Sequence, residues 1–209
     1  MGSTTYLTDH NDVAVIDTSV VINLIATGSA EQIINALPNS IAVVNIAANE
    51  LEQGRLSGRP TSHQLSQLVS TNTVELVTLD SQSEMFFERL VIGPAIDTLD
   101  DGEAATIAHA VHCGGIAVID ERKATRICAT QFEQLSVIST VDLLAHPDVL
   151  KSIGSEKLTH AVLNALRLAH MRVPPHYFDW VVDLVGRDEA ENCTSLPLSV
   201  RARKSTKLN

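Results

Sequence analysis

The 209-residue chain predicts an α/β fold: a central, mostly parallel sheet with helices on both faces, plus a C-terminal helical extension. Three observations carry this. Short β-branched runs alternate with helical patterns through the first two-thirds of the chain, as expected of parallel strands joined by helical crossovers. Two of those runs end in the same residues, AVID at Asp17 and AVID at Asp120. After Ile138 the strand signals stop while helical patterns continue.

Val13–Asp17 (VAVID) reads as a strand running into a helix capped near Thr18 and Ser19. A helix over Ala30–Leu37 is stopped by Pro38. Ile41–Val44 is a second strand and leads into the helix that carries Asn49, Glu50 and Leu51. Thr61–Ser70 is a polar helix, Glu75–Leu79 a third strand, and Ser81–Ile92 a helix broken by Gly93 and Pro94. Thr98–Glu103 opens a long helix through His112 that Gly114 and Gly115 end. Ile116–Asp120 (IAVID) is a fourth strand, followed by a helix from near Glu121, a short strand at Leu135–Ile138 and a helix at Thr140–Ala145. Beyond Pro147 only helices are expected, over Ser155–Met171 and Pro175–Gly186. The expected organisation is a sheet domain at 13–146, a helical extension at 147–186 and a flexible basic tail at 187–209.

Composition narrows the function classes. Hydrophobic residues make up 44% of the chain and aromatics 3%, so the core is aliphatic and disorder throughout is excluded. The longest apolar stretch, Ile41–Ala48, is interrupted by Asn45 and falls far short of the ~18 residues of a spanning helix. No membrane partner is expected. Met1–Asp12 has neither a basic flank nor an apolar run, so no signal peptide is expected. Cys113, Cys128 and Cys193 form no CxxC and leave one unpaired, which suits a reducing cytoplasm. The net charge of −10 is the wrong sign for a protein held on nucleic acid mainly by phosphate neutralisation. The basic residues Arg201, Arg203, Lys204 and Lys207 gather at the C-terminus, where no acid accompanies them from Cys193 onward. The acids upstream serve either solubility or metal binding, and their positions decide which.

In an open parallel sheet the carboxyl ends of the strands line the ligand crevice, and Asp17 and Asp120 stand there. A helix-capping role is the plain alternative for each. Glu50, on the helix after the second strand, and Glu103, in the first turn of the long helix, are alone ordinary solvated acids. Together the four could face one crevice, where carboxylates repel each other unless cations neutralise them. Oxygen-only ligation without histidine indicates Mg²⁺ or Mn²⁺.

The succession VIDTSVVINL, NELEQG, LDDGEAATIAHA and VIDERKATR resembles a PIN domain, in particular the toxin branch with a GEA-type third motif. The likeness runs from about Val13 to Ala145. It implies a PIN-like three-layer fold and a metal-dependent endoribonuclease acting on single-stranded or structured RNA. In many members that enzyme is the toxin of a toxin–antitoxin pair, so an antitoxin protein is an implied partner. Carried over by position, Asp17, Glu50, Glu103 and Asp120 become the catalytic metal ligands, with Ser19 supporting Asp17. In the third motif Asp100, Asp101 and Glu103 compete. Glu103 fits best because Ala104, Ala105, Ile107 and Ala108 continue the helix behind it, and Asp101 is expected as the helix N-cap. The extra C-terminal region is absent from compact members, so nothing carries over to it.

Arg122, Lys123 and Arg126 follow Asp120 directly. Arg122 and Arg126 share a helix face and read either as a substrate phosphate clamp or as a solvated face. Arg55 and Arg59 are weaker substrate contacts. His109 and His112 lack a third ligand at zinc spacing and read as surface residues. His160, Asn164, Arg167 and Met171 form the polar side of an amphipathic helix. Tyr177, Phe178 and Trp180 lie in a helix apolar nearly all round, covered by its own domain, by a second subunit or by an antitoxin-like partner. Competing classes are weaker. A haloacid-dehalogenase-type phosphatase wants an aspartate where Ser19 stands, and a receiver domain wants a lysine that Leu135–Thr140 does not supply. A catalytically inactive PIN-like scaffold that binds a partner is the non-enzymatic alternative.

Overall fold

The computed structural model describes Leu7, residues 12–53 and residues 60–202. Five strands, β1 (Ala14–Ile16), β2 (Ile41–Val44), β3 (Glu75–Val77), β4 (Ile116–Val118) and β5 (Ser136–Ile138), form one sheet in the order β3-β2-β1-β4-β5. All four pairings are parallel. The helices in the sheet portion are α1 (Thr18–Ala26), α2 (Ala30–Ala36), α3 (Asn45–Glu52), α4 (Pro60–Ser70), α5 (Ser81–Val91), α6 (Asp101–Cys113), α7 (Arg122–Gln131) and α8 (Thr140–Leu144). Then come α9 (Pro147–Ile153), α10 (Ser155–Leu168), a 3-10 turn at Pro175–Tyr177, α11 (Phe178–Val185), α12 (Arg187–Glu191) and α13 (Leu198–Arg201).

The strands are aliphatic because both faces are covered. Along β1, Ala14 and Ile16 face one layer and Val15 the other; along β4, Val118 faces the first and Ala117 the second. The first layer contains α1, with Val20, Val21 and Leu24, and also the C-terminal helices. The second is built from Leu90 of α5, Ala104, Ala105 and Ile107 of α6, and Ala124 and Ile127 of α7. Small side chains on α6 let it lie close to the sheet. Gly114, in the left-handed region at φ 66°, caps it. The turn into β4 is equally tight, since a Cβ on Gly115 would lie 2.5 Å from the Val13 carbonyl oxygen.

From 147 onward the chain is helical, as expected, but its apolar side chains join the sheet's own core. Val149, Leu158, Val162, Leu166 and Val181 belong to one cluster with Ile16, Val20 and Val43. Phe178, Trp180 and Leu184 pack against that cluster. The expectation of a flexible tail from 187 is corrected for 187–202. Those residues form α12 and α13, and Ala190, Cys193, Leu196 and Val200 are buried in the same cluster. Their polar composition hid a sparse apolar stripe. Residues 203–209 lie outside the described residues, as do Arg55 and Arg59. Met171, assigned to the polar side of α10, lies past the helix end and is buried. His109 and His112 are partly buried rather than superficial, and His112 Nε2 stands 2.8 Å from Asp80 Oδ2.

Candidate active site

The topology places the site. β1 pairs with β2 on one side and β4 on the other, so the chain's direction of progress across the sheet reverses between β1 and β4, where a crevice opens at the strand ends. Asp17 follows β1 directly and Asp120 comes just after β4. A cavity of about 430 Å³ opens there, and its lining includes Asp17, Ser19, Glu50, Asp100, Glu103 and Asp120. The four acids singled out by sequence therefore border one cavity, together with Ser19. Asp101 does not line it.

Each acid is held differently. Asp17 is buried and caps α1; its Oδ2 accepts from the Ser19 amide at 3.2 Å and the Ser19 hydroxyl at 2.8 Å. Burial pushes its carboxyl up from 3.8 to about 6 against these hydrogen bonds, with the Asp100 charge adding to the rise. Glu103 is also buried, and burial followed by the charges of Asp100, Asp17 and Glu121 pushes it from 4.5 to about 8. It is mostly protonated at neutral pH. Asp120 is held above the usual carboxylate range by burial, while the Asn23 amide donates to it at 2.7 Å and the Thr140 backbone N–H at 2.9 Å. The Thr140 hydroxyl donates to it as well.

Glu50 ties α3 to its neighbours. Its Oε2 accepts from the Thr18 hydroxyl at 2.9 Å and its Oε1 from the Gly102 amide at 3.0 Å. A Cβ at position 102 would lie 2.5 Å from Glu50 Oε2, so the glycine of the GEA motif is what lets the carboxylate reach the start of α6. The N-cap of that helix is Asp100, not Asp101: the Asp100 side chain accepts from the Glu103 amide at 2.9 Å, while Asp101 is the exposed first helical residue. The capping bond spans three residues, and only Asp100 stands three before the glutamate.

Of the basic trio, Lys123 Nζ donates to the Ala95 carbonyl at 2.6 Å and Arg126 Nη2 to that of Ile96 at 2.8 Å. Both hold the turn before α6, and neither lines the cavity. Sequence reasoning missed Arg172, which lines the cavity from the segment after α10 and donates to the Asp120 carbonyl. It also missed Asn23 and Thr140. Asn23 is a lone polar residue in the apolar run VVINL, which was a readable signal. Thr140 follows Ser139, the first residue of a capping box closed by Asp142. Arg172 carried no such signal, since only the tertiary path brings it to β4.

Among the described residues no three carboxylate, imidazole or thiol groups stand at the mutual distances of one ion's ligand shell. The donor set nonetheless fits a hard divalent cation. Asp17, Glu103 and Asp120 are oxygen donors gathered around one cavity; burial disfavours the ionised form of each, and like charge adds to this for Asp17 and Glu103. A cation removes that penalty.

An all-parallel sheet with acids clustered at its crossover point defines an α/β protein with an acidic strand-end site. A family model of the PIN domain matches residues 13–187, so the chain belongs to the PIN-domain family. The match extends through α11 and therefore includes most of the C-terminal helices. PIN domains are generally nucleases that use divalent metals. Among solved structures the chain is similar to VapBC2 from Rickettsia felis, crystallised bound to a DNA fragment from their promoter. Identity is 15%, the alignment covers 61% of this chain and 98% of that one, and the TM-score is 0.42. A search of curated proteins gives no match. Among the described residues no helix is long and apolar enough to cross a membrane.

Proposed function

We propose that this protein is a Mg²⁺- or Mn²⁺-dependent endoribonuclease that hydrolyses phosphodiester bonds of single-stranded or structured RNA, as the toxin of a toxin–antitoxin pair. The observation that carries the nuclease reading is the placement of Asp17, Glu103 and Asp120 around one cavity where β1 and β4 end.

In this reading Asp17, Glu103 and Asp120 hold the cation, with Glu50 bordering it. When bound, the divalent ion neutralises these carboxylates and polarises both the phosphate and the attacking water. The remaining work belongs to the chain. Ser19 fixes Asp17 through Oδ2 at the cavity wall. Asn23 and Thr140 hold the rotamer of Asp120, and Asp100 holds the first turn of α6 so that Glu103 points at the same space. Arg122, exposed at the start of α7, supplies positive charge to the substrate backbone. Lys123 and Arg126 act on it indirectly, through the turn they hold.

The test is an RNA cleavage assay with Mn²⁺ and with EDTA, alongside expression in a host with and without any small protein encoded directly beside this gene. Metal-stimulated cleavage and toxicity relieved by that neighbour are expected. RNA left intact under both conditions, with binding to a protein partner retained, favours the scaffold alternative.

A further inference from the structure

Arg172 stands between two cavities. One is the carboxylate cavity; the other, of about 260 Å³, has a lining that includes Thr125, Val137, Asp142, Pro174, Pro175 and His176. Asp120 and Arg172 are the residues common to both linings. The guanidinium is fixed in this wall, with Nη1 donating to the Asp120 carbonyl. Its Nε is buried without a hydrogen-bond partner, and Arg172 enters no ion pair among the described residues.

A buried donor left unpaired is unfavourable, since it has lost its hydrogen bonds to water. A guanidinium fixed between two cavities, with a leftover N–H, asks for a strong anionic acceptor. A phosphodiester oxygen is such a group, and guanidinium geometry suits it. Past Arg172, the aliphatic and proline wall of the second cavity matches the face of a nucleobase, and His176 offers a ring to stack on.

We propose that Arg172 binds the RNA phosphate next to the scissile one, and that the second cavity receives the nucleotide beyond it. This rests on the ribonuclease reading, and it gives the C-terminal helical segment a direct part in substrate recognition.

Anisotropy titrations of a short single-stranded RNA on the EDTA-treated full-length protein read binding without cleavage, and steady-state kinetics with Mn²⁺ read turnover. Arg172→Gln is expected to weaken binding about tenfold and to reduce the slope of log affinity against log salt by about one. It should raise KM by a larger factor than it lowers kcat. Arg172→Lys should restore the salt slope but only part of the affinity, because it lacks the guanidinium fork. Thr125→Trp, at an exposed position on α7, fills the second cavity and should weaken binding of the longer RNA but not of a dinucleotide. Thermal stabilisation by Mn²⁺ should be unaltered in Thr125→Trp. Unchanged affinity and salt slope in Arg172→Gln overturns the subsite, as does unchanged RNA binding in Thr125→Trp, whether or not the wild type cleaves. The expected binding pattern in a protein without metal-stimulated cleavage overturns the nuclease reading and leaves the subsite standing.

Discussion

Replacing Glu103 with Gln should make the metal-free protein more stable while removing its response to metal. In the unfolded chain Glu103 titrates at its ordinary 4.5, whereas in the fold it is pushed up to about 8. Between those values the unfolded chain gives up the proton and the fold keeps it, so metal-free stability falls as pH rises through this window. At ~1.36 kcal/mol per pH unit, the difference corresponds to on the order of 5 kcal/mol, about two-thirds of it accumulated by pH 7. Asp17, raised from 3.8 to about 6, adds in the same direction at lower pH. Glutamine keeps the shape and does not titrate. Glu103→Gln should therefore melt roughly 6–12 °C above wild type at pH 7 in EDTA, taking ~3 kcal/mol and ~2–4 °C per kcal/mol for a chain of this size. At pH 4 the two should converge. Saturating Mn²⁺ should raise the wild-type melting temperature and leave the variant unmoved. Thermal melts from pH 4 to 9, with EDTA and with Mn²⁺, measure both effects. Parallel pH curves for the two proteins, or equal stabilisation by Mn²⁺, would show that Glu103 neither titrates in this window nor holds the metal.

Gly102→Ala should lower activity more than stability. The new methyl displaces the flexible end of Glu50, lying 2.5 Å from its Oε2, while alanine favours the helix by up to ~1 kcal/mol; cleavage rates set against urea midpoints check this. Asn23→Ala should cost ~1–3 kcal/mol by leaving a buried Asp120 oxygen short of a donor, and should weaken Mn²⁺ binding, both readable in one calorimetric titration and one denaturation curve. Truncation after Ala145 should yield an insoluble or molten chain, because Val149, Leu158, Leu166 and Val181 belong to the core that covers β1. A soluble, cooperatively melting fragment would show that the helices are dispensable.

Much of this was legible beforehand, because β-branched runs and their terminal acids are local signals. The five strands, the parallel pairing and the place of Asp17 and Asp120 at strand ends follow from where short apolar runs stop, whereas Glu50 and Glu103 lie on helices and were singled out by the resemblance of their motifs to PIN domains. Features that depend on tertiary path were not legible. Arg172 reaches β4 only because α10 and the residues after it fold back over the sheet, and no spacing in the sequence encodes that return. The short helices α12 and α13 were hidden because each buries only a few small or scattered apolar residues, such as Ala190 and Val200. The choice between Asp100 and Asp101 turned on one capping bond, finer than periodicity resolves.

Whether the carboxylates around Asp17 form a metal-dependent nuclease site is decided by RNA cleavage by wild type and Asp17→Asn with Mn²⁺ and with EDTA. Cleavage by wild type only with Mn²⁺, lost by orders of magnitude in an Asp17→Asn protein whose fold is intact by circular dichroism, is the result expected. Equal cleavage by the two proteins, or wild-type cleavage that persists in EDTA, would contradict the metal-dependent reading.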